Sequence, residues 1–575
     1  MSTAMTAQPS PPLPRPDAPE PVTSTSLALP DGRGAGGDST DPRGGSPAPA
    51  RQEPASRWAE AVARLGHPPR GILLQGLLAS VLMLVGGFGS GGTLMRDPIL
   101  GNSALSFWRY GHGTQMAGAL VYIGLFLMVW AWVRLGREVL ARRVTGRAVL
   151  TVSLAWIAPL LISPPLFTRD PFSYLAQGAL PLAGFDPYAV GPDALGGVFT
   201  DNVHYFWQDT PAPYGPLFIL LAKGIVSLVG SNVIAGVLAM RLLLCIGLVL
   251  LVIALPALTR ALGGRPEVAL WIAVANPVMV VHMIGGGHND LLVVGMLPCA
   301  ALLALRRRFL LAIVVATLAM AVKASAGIVL PFLVLVWAAT LTGPFWKRLL
   351  RSGAASIAVF AVVFAGCTLV AGVDLGWLPA LNAPSMIVNW LSLSTAVGQA
   401  LHGVVGMFAT LPEMAFVNVT RVIGAGVLVV LFVRYWWTAR EGGTVAIRNA
   451  GIVMALAAVL SPATLPWYLS WGFCLLAMIA WSTRGLQWLV FGSIWLMVAY
   501  YPNGETALYN WGFLAVCTLL GILASVSLTR TDPLRLRAGR EARRAPVGSV
   551  APVAPAPADA AITDPLVDGA GQRSS

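Results

Sequence analysis

The chain reads as an all-α polytopic membrane protein, with roughly fourteen transmembrane helices and an interfacial helix in one large extracytoplasmic loop. Three observations predict this. Hydrophobic side chains make up 56% of the 575 residues and charged ones only 11%, with a mean hydropathy of +0.72. That balance excludes a soluble globular enzyme and a disordered chain. Apolar runs approaching the ~20 residues that a crossing needs follow one another along the chain. Lys and Arg gather in alternate gaps between these runs, as they do in cytoplasmic loops. The net charge of +13 therefore fits a chain whose partner is the lipid bilayer, and it calls for no nucleic acid.

The elements follow in order. Residues 1–65, rich in Pro, Ser, Gly and Ala, cannot bury enough apolar surface to fold and read as a disordered cytoplasmic tail without a cleaved leader. Apolar blocks then fall at 71–91, 113–133, 148–166, 233–256, 268–284, 290–305, 309–323, 326–341, 353–372, 417–436, 446–460, 467–482, 486–500 and 510–528, inside one transmembrane domain spanning 66–529. Arg134, Arg137, Arg142, Arg143 and Arg147 follow the second block, Arg306, Arg307 and Arg308 the sixth, and Lys347, Arg348 and Arg351 the eighth. Both termini are therefore expected in the cytoplasm of a multi-pass plasma-membrane protein. Residues 214–230 (YGPLFILLAKGIVSLVG) would invert this alternation if they crossed, so an interfacial or re-entrant helix is predicted there, with Lys223 at the headgroups. Residues 530–575 open on a basic run, turn Ala/Pro-rich, and read as a second disordered cytoplasmic tail. The five cysteines all lie inside apolar blocks without CxxC or Cys/His spacing, which predicts neither a disulfide framework nor a metal cluster.

Most acids outside the tails fall on the outer side, several of them in the long loop 167–232, so chemistry is expected outside. Asp170 stands directly after the third block beside Arg169. Partial desolvation there would raise its basicity and suit a general base for a sugar hydroxyl, or Asp170 could simply cap the following helix. Tyr174, Tyr188, Tyr214 and Trp207 interleave with Asp186 and Asp209. Rings and carboxylates together suit carbohydrate, and Tyr or Trp at this depth equally suits an interfacial belt. The turn GGGHND at 285–290 lets backbone approach a ligand and then offers His288, Asn289 and Asp290 in succession, although Asp290 could equally cap the next span. Three adjacent side chains make a poor zinc site. Arg241, Lys323 and Arg421 stand near outer span ends, where they could meet an anionic headgroup phosphate or snorkel to the interface. Trp467, Tyr468 and Trp471, in SPATLPWYLSW at 461–471, could line a lipid-chain groove or anchor their helices. With no Asp-x-Asp triplet, Walker loop or Rossmann fingerprint, a sugar substrate outside would have to arrive already activated on a lipid.

The stretches RDPFSYLAQGAL, GFDPYAVGP, APYGP, GGHND, VKASAGIVLPF, GWLPAL with NWL, and LPWYLSW occur in this order. The ordered set, running from about residue 70 to 528, resembles the actinobacterial polyprenyl-phosphomannose-dependent α-1,6-mannosyltransferases of the GT-C glycosyltransferase class. The resemblance implies a GT-C fold, a polyprenyl-phosphate-mannose donor, a mannan (lipomannan) acceptor and an inverting transfer at the extracytoplasmic face. It carries the catalytic acid of the first large outer loop onto Asp170, the second outer acid onto Asp290, and the family's Lys onto Lys323. Elsewhere in the class the acid follows the first span, so the blocks at 71–91 and 113–133 look like an N-terminal addition. Arg241 and Arg421 join Lys323 as donor-phosphate candidates from position and charge alone. No cofactor is implied; a metal bridging Asp170 and Asp290 is compatible with these residues but not demanded by them. The residues by themselves leave open another donor sugar, such as arabinose, or a glycolipid transporter or flippase without catalysis. Charges clustered at one face argue against transport.

Overall fold

Every apolar block folds as helix. The structure is a computed structural model that describes residues 68–531; the readings of both tails fall outside the described residues. The long helices are α1 (Arg70–Ser90), α2 (Gly111–Leu140) and α3 (Gly146–Leu160), then α4 (Asp170–Ala179), α5 (Pro216–Val229) and α6 (Val233–Ala261). After α7 (Pro266–Ala273) and a π-helical stretch, Val278–Gly287, come α8 (Asp290–Leu305), α9 (Phe309–Val322), α10 (Leu330–Ala338) and α11 (Phe345–Ala371). The chain closes with α12 (Leu393–Val405), α13 (Glu413–Thr438), α14 (Gly443–Leu460), α15 (Ser470–Leu476), α16 (Thr483–Met497) and α17 (Trp511–Ser527). No β-strand occurs among the described residues.

By length and composition, six helices can cross a membrane, or seven if α7 and the π-helical stretch, bent by 47°, form one span. The remaining blocks are helices of 17 residues or fewer. Proline and polar side chains account for part of that shortening. At the bend, Pro277 supplies no N–H and Asn276 takes over, accepting from the Val278 N–H at 2.9 Å while donating to Ser493 at 2.9 Å. Residues 214–230 fold as α5, whose 14 residues fall short of the ~20 needed for a crossing.

Small residues set the spacing where helices meet, as is common when no water drives association. Gly295 of α8 and Gly247 of α6 cross almost backbone to backbone: a Cβ on Gly295 would lie 2.0 Å from the Gly247 carbonyl oxygen. That contact seats the N-terminal end of α8, which begins at Asp290. In the interior Trp132 and Trp271 stack at 5.1 Å, and each indole N–H donates to the other's carbonyl at 3.0 and 2.9 Å. By contrast α11 and α13 turn most of their apolar surface outward, with 17% and 22% of their most hydrophobic windows buried. Outward-facing apolar helices are the signature of a lipid-facing wall.

Candidate active site

A cleft of about 580 Å³ opens between α4, the segment 381–389, α13, α14 and the loop after α16. Asp170 enters it as the first residue of α4, followed by Pro171, whose fixed φ suits a first helical turn. The carboxylate is not the helix cap: it bonds no backbone N–H of α4. Its Oδ2 instead accepts from His288 Nδ1 at 3.1 Å and from the Tyr174 hydroxyl at 3.3 Å, while the Thr168 hydroxyl accepts the Asp170 N–H at 3.1 Å. The side chain remains 20% exposed.

Burial pushes the Asp170 carboxyl up. The His288 hydrogen bond and charge, the nearby Lys323 ammonium and the Thr168 hydroxyl together outweigh burial and hold it below the usual carboxylate range. Desolvation was expected to raise its basicity; the surrounding donors reverse the sign. Burial pushes the Tyr174 and Tyr214 phenols well above their usual value, so both stay protonated and can donate.

Asp290 opens α8 and is fully buried. It is not a side-chain cap either. Lys323 Nζ bonds both of its oxygens, at 2.7 and 2.8 Å, and the Trp471 indole N–H donates to Oδ1. The ammonium stands 4.6, 5.3 and 5.9 Å from the ring centres of Tyr468, Trp471 and Tyr214, a cation–π cage around a paired charge.

Of the residues singled out from the sequence, Arg169, Asp170, Trp207, Tyr214, Lys323, Trp467, Tyr468 and Trp471 line the cleft. Tyr174, His288, Asn289 and Asp290 stand just behind it. The Tyr174 hydroxyl accepts from the Asn289 N–H at 3.3 Å, and the His288 ring stacks on Trp467 at 3.6 Å. The structure does not bring Asp186, Tyr188 or Asp209 to the cleft. Asp186 accepts from the Tyr188 N–H, Asp209 from the Thr210 hydroxyl, and the Tyr188 hydroxyl holds the Tyr214 carbonyl at 3.0 Å.

Two of the three candidate phosphate cations are committed elsewhere. Buried Arg241 spends four N–H bonds on the carbonyls of Leu161, Ser163, Ile284 and Gly285, at 2.7 to 2.9 Å. It ties the segment leading to Asp170 against the turn leading to His288. Arg421 bonds the Ser385 and Ile387 carbonyls and the Thr395 hydroxyl, fixing the segment that lines the cleft without entering it. Arg169 keeps its terminal nitrogens unengaged by described residues; only Nε is bonded, to the Asn202 carbonyl at 3.0 Å.

The sequence reasoning missed Thr168, Tyr500 and the His204–Glu505 pair, 3.3 Å apart, which carried no local signal. No group of three or more His, Cys, Asp or Glu residues arranged to hold a metal occurs among the described residues. Both oxygens of Asp290 are already bonded to Lys323, which leaves them poorly placed to share a metal with Asp170.

Residues 73–339 match the family described as "Alpha-(1->6)-mannopyranosyltransferase, N-terminal domain", and residues 394–530 match the MptB C-terminal domain. The chain is 38% identical over 472 residues to alpha-(1->6)-mannopyranosyltransferase A of Mycobacterium tuberculosis, covering 81% of this chain and 92% of that protein. The chain belongs to the α-(1→6)-mannopyranosyltransferase family. It is 32% identical over 480 residues to alpha-(1->6)-mannopyranosyltransferase A of Corynebacterium glutamicum, covering 79% of this chain and 97% of that one. A probable alpha-(1->6)-mannopyranosyltransferase of Mycolicibacterium smegmatis is 30% identical over 535 residues, with 85% and 93% covered. No solved structure matches. The cleft of this mannosyltransferase draws on both matched regions. Asp170 and Lys323 come from the first, Trp467, Tyr468, Trp471 and Glu505 from the second, and Asn382 and Ile387 from the stretch between them.

Proposed function

We propose that this membrane enzyme transfers mannose from a polyprenyl-phosphate-mannose donor to the 6-hydroxyl of a growing α-1,6-mannan, the lipomannan core, at the extracytoplasmic face of the plasma membrane. The observation that carries the reading is the mixed lining of the cleft, charged and apolar together. Its lining includes Asp170, Arg169 and Lys323 as well as the apolar Leu428, Ala457, Leu460 and Leu465, and it takes in exposed Ala425 of the outward-facing α13. Charged and apolar groups in one cleft suit a sugar phosphate carried on a hydrocarbon chain. The names of the relatives support mannose and the α-(1→6) linkage.

In this mechanism Asp170, ionised at neutral pH, takes the proton of the acceptor hydroxyl as it attacks the anomeric carbon of a β-mannosyl phospholipid. The product is α-linked, so the reaction inverts through an oxocarbenium-like transition state. Phosphate leaves without a general acid. Lys323 shares its charge with Asp290 but retains one N–H beyond the two spent on that carboxylate, and Arg169 offers its unengaged terminal nitrogens. Both can stabilise charge as it develops on the phosphate.

The test is transfer by purified protein from labelled lipid-phosphomannose to a short α-1,6-mannoside, with an acceptor one α-linked residue longer as the result. Preference for a pentosyl donor would replace the sugar assignment. Movement of lipid across vesicles without transfer would replace the enzyme by a transporter. Dialysis against EDTA should leave activity intact, because Lys323 already occupies the Asp290 carboxylate; loss restored by Mn²⁺ would overturn the metal-free mechanism.

A further inference from the structure

The Asp170 carboxylate is held asymmetrically. Both of its side-chain hydrogen bonds, from His288 Nδ1 and from the Tyr174 hydroxyl, reach Oδ2. Oδ1 takes none from the described residues and is not buried away from the cleft that Asp170 lines. His288 is in turn fixed on every side. Its backbone N–H closes the π-helical stretch on the Met283 carbonyl at 3.1 Å, and its ring lies flat on Trp467, 3.6 Å away at 20°. Gly287, at φ +76°, makes the turn that presents it, and a Cβ there would meet Pro171 at 3.1 Å. His288 Nε2 is buried with no partner, so the ring's one productive polar contact is Nδ1–H to Asp170. The ring is fully buried behind the cleft, so its polar contact is with Asp170 and not with a ligand in the cleft.

We propose that His288 is a positioning residue for Asp170, tethering one carboxylate oxygen so that the other faces the cleft as the proton acceptor. The proposal rests on Asp170 being the general base. In the step, the acceptor 6-hydroxyl proton passes to Oδ1 as the new C1–O bond forms; the C1–O bond to phosphate breaks, and the lipid phosphate leaves with the electron pair. His288 keeps its Nδ1 proton throughout and steadies a carboxyl that is losing its charge. Trp467 stacks on the imidazole and, through it, helps to aim the base. Arg241 contributes from the other side, because it joins the carbonyls of Leu161 and Ser163 to those of Ile284 and Gly285.

Two variants separate tethering from packing. His288→Phe keeps a ring on Trp467 and removes the donor; His288→Asn places an amide N–H close to where Nδ1–H stood. A hydrogen bond to a charged group contributes enough for kcat of His288→Phe to fall about 10- to 100-fold. The acid limb of its kcat/KM profile should move up by about one pH unit, since the ionised carboxylate has lost a donor. Tyr174, Tyr214, Lys323, Tyr468 and Tyr500, the other titratable groups facing Asp170, are unchanged in both variants. KM for the lipid donor should stay within about twofold, and His288→Asn should recover most of kcat and return the acid limb. A folded His288→Phe enzyme with wild-type kcat and an unmoved acid limb overturns the proposal. So does His288→Asn as impaired as His288→Phe with both limbs unmoved, which would leave only ring volume. Full activity in Asp170→Asn would remove the base itself, and the tethering role with it.

Discussion

Lys323 and Asp290 form a two-pronged ion pair, 2.7 and 2.8 Å long, with the carboxylate fully buried and the ammonium side chain 13% exposed. The lysine ends α9, the aspartate begins α8, and Trp471 brings a third segment to the same carboxylate. A buried pair of this kind is costly to break from one side, because the survivor is left charged and unmatched.

Asp290→Asn alone, or Lys323→Met alone, should therefore lower stability by about 3–5 kcal/mol, measured as a fall in the midpoint of thermal unfolding in detergent. The double variant should recover much of that loss while remaining inactive. Strictly additive losses would mean that the two charges are not coupled.

Asp170→Asn should reduce turnover by about 10²–10⁴ with little change in unfolding midpoint, since general-base assistance is lost and no helix cap is removed. Asp193→Asn and Asp201→Asn, in the same loop, should be nearly silent. Near-normal transfer by folded Asp170→Asn would send the search for a base elsewhere.

The pH dependence follows from the downward shift of Asp170. Its stabilising contribution is fully present above the unfolded value of 3.8 and is lost as pH falls through the lower folded value. The acid limb of kcat/KM in the free enzyme should accordingly lie below 3.8, with no Asp170-dependent loss between there and neutrality. An acid limb assigned to Asp170 near pH 6 would contradict the donor set around it.

Arg241 should behave as a structural tie and not as a phosphate ligand. Arg241→Met leaves buried carbonyls unpaired and should cost ~3 kcal/mol or more. Arg241→Lys should not restore it, since one ammonium cannot fork to four carbonyls. Where the variants remain folded, donor KM should be unchanged; a selective rise in donor KM would return Arg241 to the phosphate site. Arg169→Gln, by contrast, should raise donor KM while leaving the unfolding midpoint nearly unmoved.

Topology has a separate test. Asp186 and Asn503 are exposed on loops read as outside, and Ala141 is exposed after α2 on a loop read as cytoplasmic. Cysteines introduced at Asp186 and Asn503 should react with an impermeant thiol reagent on intact cells, and one at Ala141 should not. The native cysteines are buried or half-buried and should contribute little background. Labelling at Ala141 alone would invert the map.

Composition and local order were sufficient for a helical, multi-pass membrane protein and for the motifs around Asp170, Asp290 and Lys323. Apolar blocks are contiguous in sequence, and a helix satisfies its own backbone within a few residues, so such elements are legible without tertiary contacts. The ordered motifs likewise sit in short stretches. What the residues do with their charge was decided only on folding. Asp170 meets His288 across 118 positions, Asp290 meets Lys323 across 33 and Trp471 across 181, and Arg241 reaches carbonyls 43 to 80 positions away. Sequence position made Arg241, Lys323 and Arg421 look alike. Tertiary structure made one a backbone staple, one half of an ion pair, and one a loop anchor, because a buried charge takes its role from the partners that satisfy it, and those partners come from elsewhere in the chain.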